Sequence, residues 1–199
     1  MAILLHLETA TTVCSVSLSV DGQLQAIEEL NDGFTHAENL VSFCNSVLKK
    51  SNFTFNDLHA IAVSKGPGSY TGLRIGVSAA KGFCYALNIP LIAINTLQHI
   101  AMQISSLHEN ENALFCPMLD ARRMEVYCAL YDLNNKEVKK TAAEIIDENS
   151  FSEELKNNQI YFFGDGADKC KTTLEKNVNA IFIDNIFPSS KNKIGRAHV

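Results

Sequence analysis

The feature that most constrains the fold is a glycine-rich segment, residues 65–76, which separates a predicted strand from a predicted helix. The apolar run at 60–63 before it is typical of a buried strand. Gly66 and Gly68 allow the backbone to turn sharply at the end of that strand, and Ser69 can cap the helix that follows. No Gly-Lys-Ser/Thr follows, and the glycine spacing differs from the dinucleotide fingerprint. The segment therefore predicts a tight strand-to-helix turn.

Small residues recur at every fourth position of the predicted helix, namely Gly72, Gly76 and Ala80. Residues four apart lie on one face of a helix. This face therefore lacks bulky side chains, and another stretch of backbone can approach it closely.

The chain repeats its opening pattern at a distance of 112 positions, the offset between Glu8 and Asp120. In both places an apolar strand ends at the carboxylate, a short polar step follows, and an extended run then leads to a turn. A repeat of this length is the size of a domain. The pattern predicts a duplicated α/β unit in two lobes, residues 1–109 and 110–190, with the second lobe incomplete at its C-terminal end.

The composition, 46% hydrophobic and 20% charged, is that of a globular protein able to bury a core. The net charge of −5 gives little attraction for phosphate backbones. The opening residues lack a basic leader, and no apolar run approaches the roughly 20 residues that cross a bilayer. A cytoplasmic location with no membrane partner is therefore predicted.

The six cysteines are widely spaced, mostly among apolar neighbours, and no two of them form a C-x-x-C motif. Neither a zinc ribbon nor a thioredoxin-like site is indicated. They are predicted to be reduced, buried, small hydrophobic residues. These residues are Cys14, Cys44, Cys84, Cys116, Cys128 and Cys170.

Four segments of the chain together resemble the signature of one bacterial protein family. They are Gly66–Gly76, Glu8–Thr11, His36–Leu40 and Asp120–Tyr127, in the order and spacing of that family. The chain resembles the TsaB family from residue 1 to about residue 190. Members of this family are partner subunits in the synthesis of threonylcarbamoyladenosine on tRNA, and are non-peptidase homologues within the glycoprotease, or TsaD, superfamily.

The resemblance implies a duplicated actin-like fold, as in sugar kinases and Hsp70 proteins. It implies a non-catalytic subunit that dimerises with a metal-bearing paralogue, TsaD, and supports threonylcarbamoyl transfer to the adenosine beside the anticodon. A TsaE-like ATPase is a further expected partner, with tRNA reached through the complex and a homodimer as an additional assembly. No tightly bound cofactor is expected, with ATP or ADP placed at a subunit interface of the complex.

The resemblance also assigns residues to a subunit contact. In this family the first helix and the helix after the glycine loop pack against their counterparts as a four-helix contact. The contact candidates are His36, Leu40, Gly72, Gly76 and Ala80. The signature loop comprises Gly66, Pro67, Gly68, Ser69, Tyr70, Thr71, Gly72 and Arg74.

Two interpretations of the polar turns remain open. Glu8, Thr9 and Thr11 lie where an actin-like fold has its first phosphate turn, and Asp120 lies at the matching turn of the second half. These four residues are the nucleotide-binding candidates, because such carboxylates hold metal-bound phosphates. The same residue types are also common in ordinary hairpin turns. A nucleotide-dependent phosphotransferase or ATP hydrolase is therefore the alternative function.

The histidines favour the non-catalytic interpretation. The paralogue carries H-x-x-x-H on its first helix, and two histidines four apart can share one metal ion. Here His36 is followed four residues later by Leu40, which cannot ligate a metal. No serine lies in a G-x-S-x-G motif. No catalytic residue and no metal site are predicted.

The last residues do not follow the family pattern. Residues 194–199, Ile-Gly-Arg-Ala-His-Val, show no helical or strand periodicity, and a common sequencing adapter read through encodes the same hexapeptide. Residues 191–199 are therefore predicted to be a non-native tail.

Overall fold

The computed structural model of the protein describes residues 1–33 and 35–194. The described residues form two compact units, one made of residues 1–96 together with 188–194, the other of residues 97–187. The predicted tail at 191–199 falls mostly outside the described residues, except for 191–194.

The first unit is built on a five-stranded sheet in the order β3-β2-β1-β4-β5. Strands β1 to β3 are antiparallel neighbours, while β4 runs parallel to β1 and β5 parallel to β4. Its elements are β1 Ile3–Glu8, β2 Val13–Val20, β3 Gln23–Asn31, α1 His36–Lys50, β4 Ala60–Gly66, α2 Tyr70–Leu87 and β5 Leu91–Asn95.

The second unit repeats this topology strand for strand, with a five-stranded sheet in the order β8-β7-β6-β9-β10. Its pairings match as well, because β6–β7 and β7–β8 are antiparallel whereas β6–β9 and β9–β10 are parallel. Its elements are α3 Thr96–Ser105, β6 Ala113–Asp120, β7 Glu125–Tyr131, β8 Glu137–Ile145, β9 Gln159–Phe163, α4 Lys171–Leu174 and β10 Ala180–Ile183. The predicted duplication is confirmed.

The boundary between the units lies at 96/97, whereas the sequence pattern placed it at 109/110. The reason is packing: Leu97, Ile100 and Ile104 of α3 lie in one core cluster with Phe115 of β6. Short 3-10 turns complete the described chain at 55–57, 154–156, 168–170 and 190–193.

Strand β2 is buried on both faces, although its alternation of apolar residues and serines predicts a half-buried strand. Val16 and Leu18 pack in the core cluster that includes residues of α1 and α2. The serines are buried too, and Ser15 Oγ lies 2.7 Å from Ser190 Oγ. Residues 188–193, which return to this sheet from the far end of the sequence, therefore supply a partner that local periodicity does not reveal.

Two local predictions have different outcomes. The sequence Thr35-His36-Ala37-Glu38 predicts a capping box at the start of α1. This prediction is wrong, because the Thr35 side chain makes no capping hydrogen bond. The carbonyl oxygen of Thr35 instead accepts from the N–H groups of Glu38 and Asn39, both at 3.2 Å. The cysteine prediction is confirmed, because all six thiols are free and buried.

Within the described chain, no helix has the length and apolar character to span a membrane.

Candidate functional site

The turn between β1 and β2, residues 9–12, is held against the signature loop that follows β4. The N–H of Ser69 donates to the carbonyl oxygen of Ala10 at 2.7 Å. Gly66 and Gly68 have φ of +109° and +154°, and the Gly66–Pro67 peptide bond is cis. A Cβ on Gly68 would lie closer than 3.0 Å to the Ala10 carbonyl oxygen. Glycine is therefore required at this position by both conformation and space.

Gly72 and Gly76 of α2 face the same turn. A Cβ on Gly72 would overlap the carbonyl oxygen of Thr9, and one on Gly76 would overlap Thr9 Oγ1. The predicted close approach of another backbone is therefore correct, but that backbone is the end of β1 in the same unit. The assignment of Gly72 and Gly76 to a partner interface is wrong.

The other interface candidates are also interior. Leu40 and Ala80 are buried in the core between the helices and the sheet. His36 is buried as the first residue of α1, and its Nε2 lies 2.8 Å from the Thr11 carbonyl oxygen. All three are enclosed by their own unit, so their assignment to the interface is wrong as well. The spacing of small residues identified a tightly packed face but not its neighbour.

Glu8 lies at the centre of a buried polar network. Its Oε1 accepts from the N–H of Ala10 at 2.7 Å, and its Oε2 accepts from Ser64 Oγ at 2.7 Å. The Lys193 ammonium donates to the same Oε2 at 2.8 Å and to the Leu7 carbonyl oxygen. Burial lowers the pKa of Lys193, although Glu8 opposes the shift. Sequence reasoning missed Ser64 and Lys193, since neither forms a recognisable motif with Glu8.

The nucleotide candidates of the first unit therefore come together, but they face their own chain. Glu8, Thr9 and Thr11 are all buried. The Ala10 N–H donates to Glu8, and the Ala10 carbonyl oxygen accepts from the N–H of Ser69. The assignment of these residues to a nucleotide site stays a prediction.

His6, on β1, gives the first unit a measurable pH dependence. Burial, followed by the charge of Lys193, lowers the pKa of His6 from 6.5 to about 3. Between these values the unfolded chain holds a proton that the folded chain lacks. The contribution of His6 to the free energy of unfolding is therefore fully present above about pH 6.5. It falls by about 1.4 kcal/mol for each pH unit between about pH 6.5 and pH 3.

Urea unfolding between about pH 7.5 and pH 5 tests this expectation. In the wild type, the free energy of unfolding should fall with the slope of about one proton, which amounts to about 2 kcal/mol by pH 5. His6→Gln should lack this slope. His59→Gln is the control, since His59 is exposed. Equal slopes in the wild type and His6→Gln would contradict the inferred neutral histidine.

Asp120 occupies the corresponding turn of the second unit. Its Oδ1 accepts from the Lys169 ammonium, and its N–H donates to Asp165 Oδ1 at 3.1 Å. Burial acts to raise the pKa of Asp120, but Lys169 and the N–H of Arg122 hold it below its usual value. Burial is also the main reason why the pKa of Asp165 is raised. Asp165 and Lys169 were not anticipated from the sequence.

No group of three or more His, Cys, Asp or Glu side chains in residues 1–33 and 35–194 is arranged to hold a metal ion. The signature-loop residues Tyr70, Thr71 and Arg74 are exposed, in contrast to the glycines. The Arg74 guanidinium lies 5.4 Å from the centre of the Tyr70 ring. The exposed side of α2 therefore carries an aromatic and a cationic side chain.

Comparisons with known proteins connect this arrangement to a family. The family described as TsaD: tRNA N6-adenosine threonylcarbamoyltransferase matches residues 34–198. A relative from Buchnera aphidicola subsp. Baizongia pistaciae, named tRNA threonylcarbamoyladenosine biosynthesis protein TsaB, is 31% identical over 194 residues. The match covers 94% of this chain and 85% of that relative. The chain belongs to the TsaB family.

The TsaB protein of Haemophilus influenzae is 36% identical over 124 residues, which cover 62% of this chain. The chain spans about half the length of this relative and of the Escherichia coli TsaB protein, with 51% and 54% of them matched.

Solved structures share the fold. YeaZ from Pseudomonas aeruginosa has a TM-score of 0.80 at 23% identity, covering 96% of this chain and 88% of that one. The activator of 2-hydroxyisocaproyl-CoA dehydratase from Clostridium difficile has a TM-score of 0.53 at 10% identity, covering 98% and 92%. With the duplicated sheet order, these neighbours confirm the predicted actin-like fold.

Proposed function

We propose that this TsaB-family chain is a non-catalytic partner subunit in the modification of tRNA. It dimerises with a metal-bearing TsaD-like paralogue and supports transfer of threonylcarbamoyl to the adenosine beside the anticodon. The observation that carries the proposal is the match to a named TsaB protein across 94% of this chain.

The interior of α1 supports a non-catalytic role. The metal-bearing paralogue places two histidines four residues apart on its first helix, and here Leu40 takes the second position. Leu40 is buried among apolar side chains, where it contributes to the core and offers no ligand atom. His36 contacts the Thr11 carbonyl oxygen instead of lying beside a second imidazole. Helix α1 thus serves packing in this chain.

The exposed faces of α1 and α2 are the proposed partner surface, in place of the buried candidates. Tyr85 is 92% exposed, and Val41 and Tyr70 are also exposed apolar side chains of these helices. A cleft of about 380 Å³ beside Arg74 is lined by α2 residues. Tyrosine and arginine are enriched among residues that dominate binding energy. A helical partner could cover this surface without disturbing the glycine contacts beneath it.

The remaining members of the proposed assembly follow from the family. A TsaE-like ATPase joins the pair, tRNA binds through the complex, and a homodimer forms when the paralogue is absent. ATP or ADP binds at a subunit interface and not tightly to this chain. The alternative, a nucleotide-dependent phosphotransferase or ATP hydrolase, requires that the isolated protein turn over ATP.

Substitution of Tyr85 with aspartate tests the surface. Tyr85→Asp should weaken binding to the paralogue by about tenfold or more, because it places a charge where a packed interface excludes water. Val178→Asp is the matched control, since Val178 is 91% exposed and belongs to the second unit. Size-exclusion binding and threonylcarbamoyl transfer to tRNA are both measured.

Excess Tyr85→Asp protein should restore transfer activity, because mass action rescues weak association but not lost chemistry. Equal binding of the paralogue by Tyr85→Asp and Val178→Asp would mean that the interface lies elsewhere on the protein. Wild-type protein that binds no paralogue, or that hydrolyses ATP alone, would overturn the proposed function.

A further inference from the structure

The turn between β6 and β7 presents two arginines in an unusual backbone conformation. Arg122 and Arg123 are consecutive and have φ of +73° and +47°. Non-glycine residues seldom adopt positive φ, and two in succession require the surroundings to hold them. Both residues are exposed at the tip of the turn.

Hydrogen bonds on both sides of the turn supply that support. Asp120 Oδ1 accepts from the Arg122 N–H at 3.0 Å and from the Lys169 ammonium. The N–H of Glu125 donates to the Arg122 carbonyl oxygen at 3.1 Å, and Lys169 also donates to the Glu125 carbonyl oxygen at 2.7 Å. The backbone that carries the arginines is therefore fixed before any ligand arrives.

The same contacts leave the guanidinium groups available. In the described residues, neither arginine forms an ion pair with an acidic side chain. Asp120 accepts a hydrogen bond from the N–H of Arg122, and its charge is countered first by the ion pair with Lys169 and also by the charge of Arg122. The tip of the turn thus carries local positive charge in a protein whose net charge is −5.

A cleft of about 610 Å³ adjoins the pair. It is lined by residues 121–125 and by Ile145, which is 73% exposed. Met124 adds a second exposed apolar side chain to this lining. Glu125 also lines the cleft and would repel an anion. Cationic and apolar side chains are therefore combined at one place.

We propose that this turn binds the phosphates of an RNA strand, an inference that rests on the proposed function. Planar guanidinium groups bind phosphate oxygens in a bidentate manner. Met124 and Ile145 offer apolar surface against which a ribose or base can pack. A strand of RNA presents a phosphate together with a ribose and a base at every nucleotide, and the proposed function places tRNA in the complex.

The test measures binding of an unmodified tRNA transcript to the full chain by fluorescence anisotropy over a range of salt concentrations. The double variant Arg122→Asn/Arg123→Asn removes both charges, and asparagine tolerates the left-handed backbone. Its affinity should fall by about tenfold or more, and its salt slope by about 1.4–1.8 for two phosphates. Lys176→Asn, which removes an exposed cation of the second unit away from this turn, should behave like the wild type.

Glu125→Gln provides a second test, because it should strengthen RNA binding whereas a misfolded variant would weaken it. Removing the repelling carboxylate should tighten RNA binding by up to about fivefold. Equal weakening by Lys176→Asn and the double variant would overturn the proposal. Displacement of the RNA by millimolar ATP would also overturn it, because it would indicate a site for free nucleotide.

Binding of the TsaD-like paralogue separates this inference from the proposed function. The double variant should bind the paralogue like the wild type. Loss of paralogue binding with unchanged RNA affinity would overturn the RNA site and identify the turn as a protein contact. Failure of the wild-type protein to bind the paralogue would instead count against the proposed function.

Discussion

Replacing Gly72 with alanine is expected to destabilise the first unit by about 1–3 kcal/mol, the usual effect of overpacking a tight interior. The added Cβ would overlap the carbonyl oxygen of Thr9, which is backbone and cannot rotate away, and would crowd His36 as well. Gly76→Ala should have a smaller effect, because its main conflict is with the Thr9 hydroxyl, a side-chain atom.

Gly82→Ala is the matched control on the same helix. A Cβ at Gly82 meets nothing within 4 Å. This variant should therefore gain about 0.5–1 kcal/mol from the higher helix propensity of alanine. Urea unfolding followed by circular dichroism gives the free energies. Changes of the same sign and size at Gly72 and Gly82 would refute the contact with β1.

Replacing Glu8 with glutamine is expected to destabilise this 199-residue chain by about 3–5 kcal/mol, the range for removing one partner of a buried ion pair. The carboxylate and the Lys193 ammonium are both fully buried. Glutamine would leave the buried ammonium without a countercharge, and its single side-chain oxygen would replace the two oxygens that accept from Ala10, Ser64 and Lys193. Free energies of unfolding near pH 7 provide the measurement.

Two further variants separate charge from packing. The double variant Glu8→Gln/Lys193→Met should recover most of the lost stability, because it removes both charges. Ser64→Ala removes only a neutral hydrogen bond and should lose about 1 kcal/mol. If Glu8→Gln is no more harmful than Ser64→Ala, the ion pair contributes little. Because Glu8 variants are expected to be less stable, the folded fraction of each must be measured in any assay of threonylcarbamoyl transfer.

Some features of the candidate site could be predicted from the sequence, and others could not. The family followed from literal motifs, but the packing of the signature loop against the turn after Glu8 was not predicted. The roles of individual residues did not follow. Five residues were assigned to a partner surface and are interior, namely His36, Leu40, Gly72, Gly76 and Ala80. A helical period of four shows that residues share a face but not which neighbour covers it.

The sequence by itself determined the repeated strand-and-turn pattern at Glu8 and Asp120, the strand before the glycine-rich segment and the buried state of the cysteines. These features depend on the local alternation of apolar and polar residues, and on a repeat that places matching strands in matching sheets. Tertiary structure alone decided that Thr9 fills the space above Gly72 and Gly76, and that Lys193 pairs with Glu8 across 185 positions of the chain. Such contacts depend on how distant segments meet. Local periodicity does not predict contacts between distant segments, because it describes only the few residues on either side of a position.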